Sequence, residues 1–136
     1  MIENIKANAE MVVQQMRSLS QMDFGYTRES VEWLQGYIER LRPSGMFDTP
    51  ATRDKLASVF GSFLGECIVR CHGGVWTTHE GVWCIAFANN LAFPFTKVSK
   101  QMENGLDDSI GGLFDTVPLI MSGQVHVSPP QSGEPC

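Results

Sequence analysis

"GSFLGECIVRCHGGVW", residues 61–76, decides the fold. It reads as an apolar helix with Gly61, Gly65 and Glu66 in its middle, broken at Gly73-Gly74 just before Val75 and Trp76. The helix opens around Asp48-Thr49-Pro50, where a capping side chain precedes proline at the first helical position. Laid out at ~100° per residue to about Cys71, the side chains Phe63, Leu56, Cys67, Phe60, Cys71, Leu64, Ala57 and Ile68 fill an arc of roughly 140°. That is wider than one surface seam, so the helix is expected to lie between two layers. Beside the arc runs a stripe of small residues, Gly61, Gly65, Ser58 and Ser62. Glycine in a helix costs ~1 kcal/mol relative to alanine, and close approach is the compensation: Gly61-x-x-x-Gly65 predicts a groove where another helix or the sheet packs against bare backbone.

Downstream the period changes. Val75 to Thr78, Val82 to Ala88 and Leu91 to Phe93 are β-rich and are divided by His79-Glu80-Gly81 and Asn89-Asn90, which predicts three short antiparallel strands. The second run is apolar on both faces, so it is the central strand, covered by helix on at least one face. Pro94 closes the third strand. Phe95 to Glu103 then reads as a helix stopping at Asn104-Gly105, and a last helix, capped by Asp107 or Asp108, runs to Pro118. Upstream, residues 2–17 repeat apolar side chains at helical spacing, 18–26 form a loop, and Thr27 caps a second helix that ends at Pro43-Ser44-Gly45. Its outer residues Glu29, Glu32, Glu39 and Arg40 read as a solvated face.

Helices first, a meander next and helices last imply α+β: N-terminal helices packed on a small three-stranded antiparallel meander, followed by two short C-terminal helices. Residues 1–121 form one domain. Residues 122–136, rich in proline, serine and glycine, read as a flexible tail, which makes His126 and Cys136 poor site candidates.

Composition narrows the function classes. The 136 residues, 43% hydrophobic and 18% charged with a net charge of −5, suit a soluble domain and disfavour general binding of nucleic-acid backbones. No apolar run approaches the ~20 residues of a membrane span, and no secretory signal is visible, so a cytoplasmic location is expected. Cys67 and Cys71 with His72, His79 and Cys84 look like half a metal site but lack paired C-x-x-C knuckles, and cysteines at helical spacing on an apolar face belong to a core. Neither a metal nor a cofactor is expected.

Glu66 has two readings: a helix-edge carboxylate paired with Arg70 at i, i+4, or a half-buried anchor held by the Gly73-Gly74 loop or by Lys97. Trp76 and Trp83 read as core first, and as lining of a shared surface second. Polar groups gather along residues 89–110. Turn and cap chemistry accounts for most of them, and if there is a binding surface it lies here, with Glu66, Trp76, Asn90, Lys97, Lys100, Glu103, Asn104 and Asp108 as its candidate residues. No catalytic residue is assigned. Cys71 and His72 are adjacent on one element and point apart, and His79-Glu80 sits in a turn.

The ordered set Glu32-Trp33-Leu34, Tyr37-Ile38-Glu39-Arg40, Gly61-x-x-Leu64-Gly65-Glu66-x-Ile68, Gly73-Gly74-x-Trp76, Phe93-Pro94-Phe95-x-Lys97-Val98-x-Lys100, Glu103-Asn104-Gly105 and Asp108-Ser109-Ile110 resembles a family of small bacterial domains of unknown function. The resemblance covers roughly Thr27 to Pro118 and implies a bacterial cytoplasmic α+β domain, with no activity attached. In size and layout the chain is also similar to immunity proteins that neutralise bacterial toxins. The function expected is a non-catalytic protein-binding module, immunity-like, that uses an acidic or mixed-charge surface around the meander and the helix beginning at Phe95 to hold a partner such as a toxin or another basic protein. The alternative is a small-molecule binder or minor enzyme with a pocket between the third helix and the sheet, using Glu66, Trp76 and Lys97. A third reading, an adaptor that dimerises through its N-terminal helix, leaves the oligomeric state open.

Overall fold

The computed structural model describes residues 2–122 and contains five α-helices and one sheet. Helices α1 (Ile2–Ser20) and α2 (Arg28–Leu41) lead through short 3-10 turns at Arg42–Ser44 and Met46–Asp48 into α3 (Pro50–His72). The strands β1 (Val75–His79), β2 (Val82–Ala86) and β3 (Leu91–Ala92) follow, then α4 (Pro94–Asn104), a 3-10 turn at Gly105–Asp108 and α5 (Ile110–Ser122). The α+β order matches the sequence reading. The expected tail falls, apart from Ser122, outside the described residues, as do His126 and Cys136.

The packing differs in one respect. The helices pack chiefly on one another: α3 lies against both α1 and α4, and α5 rests on α2, α3 and α4. The sheet is too small to serve as a platform, because only Trp76, Ile85 and Ala92 bring buried side chains to its inner face.

Helix α3 is the central rod. Ten of the twelve positions from Ala57 to Ile68 are buried across its middle, including Gly61, Gly65 and Glu66. The glycine groove is filled from one side: a Cβ on Gly61 would overlap the Phe95 ring and stand 2.9 Å from Phe95 Cα, and a Cβ on Gly65 would overlap the Trp76 indole. The missing side chains thus admit the first turn of α4 and the first strand.

The sheet is an antiparallel meander in the order β1-β2-β3. Glu80 and Gly81 both have positive φ (52° and 80°), the pairing a two-residue hairpin turn requires. The second strand ends at Ala86, two residues short of the expected Ala88, since Phe87 N–H turns to the carbonyl of Asn90 at 2.8 Å.

Both terminal helices run longer than the sequence suggests. The first continues through Ser18–Ser20, and α5 passes straight through Pro118 to Ser122. Proline has no N–H for the carbonyl four residues back, which here is that of Phe114. The His72 imidazole supplies the donor instead: its Nε2 lies 3.1 Å from Phe114 O, with the ring 4.4 Å from the Phe114 ring.

The start of α5 is also held differently. Asp107 and Asp108 lie in the 3-10 turn, and three other side chains serve the helix N–H groups: Gln101 Oε1 accepts from Ile110 N at 2.9 Å, Gln35 Oε1 from Gly111 N at 2.9 Å and Ser109 Oγ from Gly112 N at 3.0 Å. Glu39, read as part of a solvated face, accepts from the buried Gln101 amide at 2.9 Å and from Arg42 at 3.3 Å.

Candidate functional site

The candidate residues fall in two places, and the structure adds a third. The first is the junction of α3 with the sheet. Glu66 is 2% exposed; its Oε2 accepts from Trp76 Nε1 at 2.9 Å and its Oε1 from Arg70 Nε at 3.2 Å. Both readings of Glu66 hold in part: it pairs with Arg70, and it is a buried anchor, with Trp76 as the anchoring partner. A buried carboxylate is tolerated only when both oxygens are served, and here each has its donor. The Arg70 guanidinium lies over the Tyr26 ring at 3.7 Å, and the Tyr26 hydroxyl donates to Glu10 at 3.1 Å. Burial, reinforced by that hydrogen bond, pushes the Tyr26 hydroxyl up to about 12. The chain of contacts ties α1, the α1–α2 loop, α3 and β1 together around one carboxylate.

The second place is the exposed side of α4 and the turn after it. Lys97 lies 3.6 Å from Asp108, and Asn104 donates to Asp108 at 2.7 Å. The Asn104 hydrogen bond, with the charges of Lys97 and Lys100 behind it, holds Asp108 below the ordinary carboxylate range. Lys100 is exposed. Glu103 faces the other way, toward Arg53 at 3.9 Å. Lys97 is thus committed to Asp108, while Glu66 is served by Trp76 and Arg70. Asn90 is exposed and closes the β2–β3 turn through its carbonyl.

The third place lies on the meander, where the partner surface is expected, but its residues are not among the candidates. The register aligns Val75 with Ala86 and Ala86 with Leu91, with Thr77 opposite Cys84 and His79 opposite Val82. Paired residues share a face, so these seven side chains form the outer face of the sheet. Its inner counterpart, Trp76 opposite Ile85 opposite Ala92, is buried. On the outer face Val75 is 68% exposed, Val82 43% and Leu91 39%. Cys84, between them, is fully covered yet stands apart from the core cluster. The signal was present in the sequence: β2 is apolar on both faces, and helix covers only one.

Cys71 is disulfide-bonded and so offers no thiol beside His72, while Cys67 and Cys84 are free and buried. Burial pushes the Cys67 thiol well above its ordinary value and raises that of Cys84, which disfavours the thiolate. The His72 Nε2 faces Phe114 O. His79 and Glu80 lie 3.4 Å apart in the exposed hairpin turn. Among the described residues no three His, Cys, Asp or Glu side chains gather to hold a metal ion, and no helix is long and apolar enough to cross a membrane. No protein-family model, curated protein or solved structure matches the chain.

Proposed function

We propose that this chain is a non-catalytic protein-binding module that presents the outer face of its meander to a protein partner. The observation that carries this reading is the exposure of Val75, Val82 and Leu91 together on one sheet face, around Cys84 and Ala86. Isolated exposed aliphatic residues are ordinary; three on one rigid face mark a surface that gains from being covered. The charged groups at the adjoining α4 end, Lys97, Lys100, Asn104 and Asp108, would form a polar rim, which governs association rate and partner choice more than affinity.

The narrower form of the reading is an immunity-type protein that neutralises a bacterial toxin. Its supports are the small size, the α+β layout and the net charge of −5, which suits a basic partner. A small-molecule or enzymatic reading needs space between α3 and the sheet, and there the Trp76 indole lies against Gly65, so protein binding takes precedence.

The test is a capture experiment from the native host with the unaltered chain and a Val75→Glu/Val82→Glu double variant. The expected result is a defined partner retained by the first and lost by the second at an unchanged melting temperature. Equal capture by both would remove the sheet face from the interface. A captured partner with no toxin activity, or with an acidic binding domain, would remove the immunity-type form alone.

A further inference from the structure

A cleft of about 420 Å³ opens between the Met46–Asp48 turn, the first turn of α3 and the C-terminal end of α4. Its volume falls within the roughly 300–1,000 Å³ of small-molecule sites. Phe47 and Met102 line it, and both are buried in the core. One wall is Arg42, which is immobilised: its Nε and Nη2 donate to the carbonyls of Met102 and Glu103 at 3.3 and 3.4 Å, and its Nη1 to Glu39 at 3.3 Å. Gly105, at φ 75°, makes room for it, since a Cβ there would stand 2.7 Å from Arg42 Nη1.

The remaining charges of the lining are one cation and two carboxylates. Arg53 is 3.9 Å from Glu103, too far for a hydrogen bond, so its planar fork keeps donors for a carboxylate. Asp48 has no ion pair or side-chain hydrogen bond among the described residues. A simple anion would meet Asp48 and Glu103, and a simple cation would meet Arg53. A ligand that carries both charges a few ångströms apart satisfies all three. We propose that this cleft binds a small zwitterion of the α-amino-acid class, its carboxylate on Arg53 and its ammonium between Asp48 and Glu103.

The test is a titration of the full chain followed by amide NMR shifts, using L-alanine, acetate and ethylammonium as separate probes. L-Alanine is expected to give saturable shifts at Asp48, Arg53 and Glu103, with each half-probe binding at least about tenfold more weakly, since each lacks one charge-assisted contact. Arg53→Gln and Asp48→Asn should each weaken L-alanine binding by at least about tenfold, and Lys6→Gln, at an exposed position on α1, should leave it unchanged. Melting curves check that the variants fold. Should Arg53→Gln fail to fold, Asp48→Asn at its exposed position decides. No saturation by L-alanine at concentrations that fill a millimolar site, acetate binding as tightly as L-alanine, or unchanged affinity in the decisive variant would each overturn the proposal.

Discussion

Two junctions hold the small elements of this protein to its helical frame, and they are built on opposite principles. The sheet and the first turn of α4 are seated on α3 by subtraction: Gly65 and Gly61 remove side chains so that Trp76 and Phe95 reach the backbone, and one buried carboxylate fixes the indole. Helix α5 is seated by addition: Gln101, Gln35 and Ser109 extend side chains to its first three N–H groups, and His72 extends one to the carbonyl that Pro118 leaves without a partner. The first junction depends on shape and resists any added atom. The second depends on hydrogen bonds and resists any lost one.

The contrast is broken most strongly at the glycines. Gly65→Ala forces the Trp76 ring aside and Gly61→Ala presses on the backbone of α4. Each is expected to destabilise the fold by about 2 kcal/mol or more, despite the ~1 kcal/mol that alanine gains in helix propensity. Urea unfolding measures this, and an unchanged or raised midpoint would mean the groove is not closed. Next comes Trp76→Phe, which leaves Glu66 Oε2 without its buried donor. A loss of about 2 kcal/mol is expected, against about 1 kcal/mol for Glu66→Gln, where the indole keeps an acceptor. Equal losses in the two variants would show that the hydrogen bond contributes little beyond packing.

At the second junction, Gln101→Met removes the acceptor for Ile110 N and the donor to Glu39 while keeping the volume. The expected cost is about 1–2 kcal/mol, and Gln35→Met should cost about 1 kcal/mol. Hydrogen exchange at Ile110 and Gly111 should rise in step; unchanged protection there would exclude the capping role. The smallest effect is pH-dependent. Burial lowers the His72 imidazole below its ordinary value of 6.5, so the unfolded chain takes up the proton first. Stability is therefore full above about pH 6.5 and declines as pH falls from there toward the folded value. A His72→Gln variant should lose that slope in melting temperature; a slope as steep as before would assign it to other groups.

The same contrast explains what could be read from the chain alone. Subtraction leaves a local mark: two glycines four apart in an apolar helix, with Gly73-Gly74 beyond, are visible without knowing what enters the groove. The Thr27 cap, whose side chain accepts from Ser30 N, and the glycine stop at Gly105 are local in the same way. Addition leaves none. Gln101 and Gln35 act on N–H groups 9 and 76 residues away, and glutamine on a helix surface looks the same whether it meets water or another helix. For that reason the sequence points to Asp107 and Asp108 as the caps of α5 and to Pro118 as its end, whereas Gln101 and Gln35 supply the caps and His72 makes the proline passable. Glu39 went the same way. The outer sheet face was legible in composition, since Val82 and Val75 are apolar, but which face stays open follows only from the docking of Trp76.

The contact between positions 65 and 76 also carries a rule for sequence drift. An indole at 76 permits nothing larger than hydrogen at 65, and a smaller ring at 76 would relax that demand while orphaning the carboxylate at 66. In any lineage descended from this chain, the three positions are expected to change together or not at all, and a sequence with alanine at 65 beside an intact tryptophan at 76 would mark a strand that has shifted its seat.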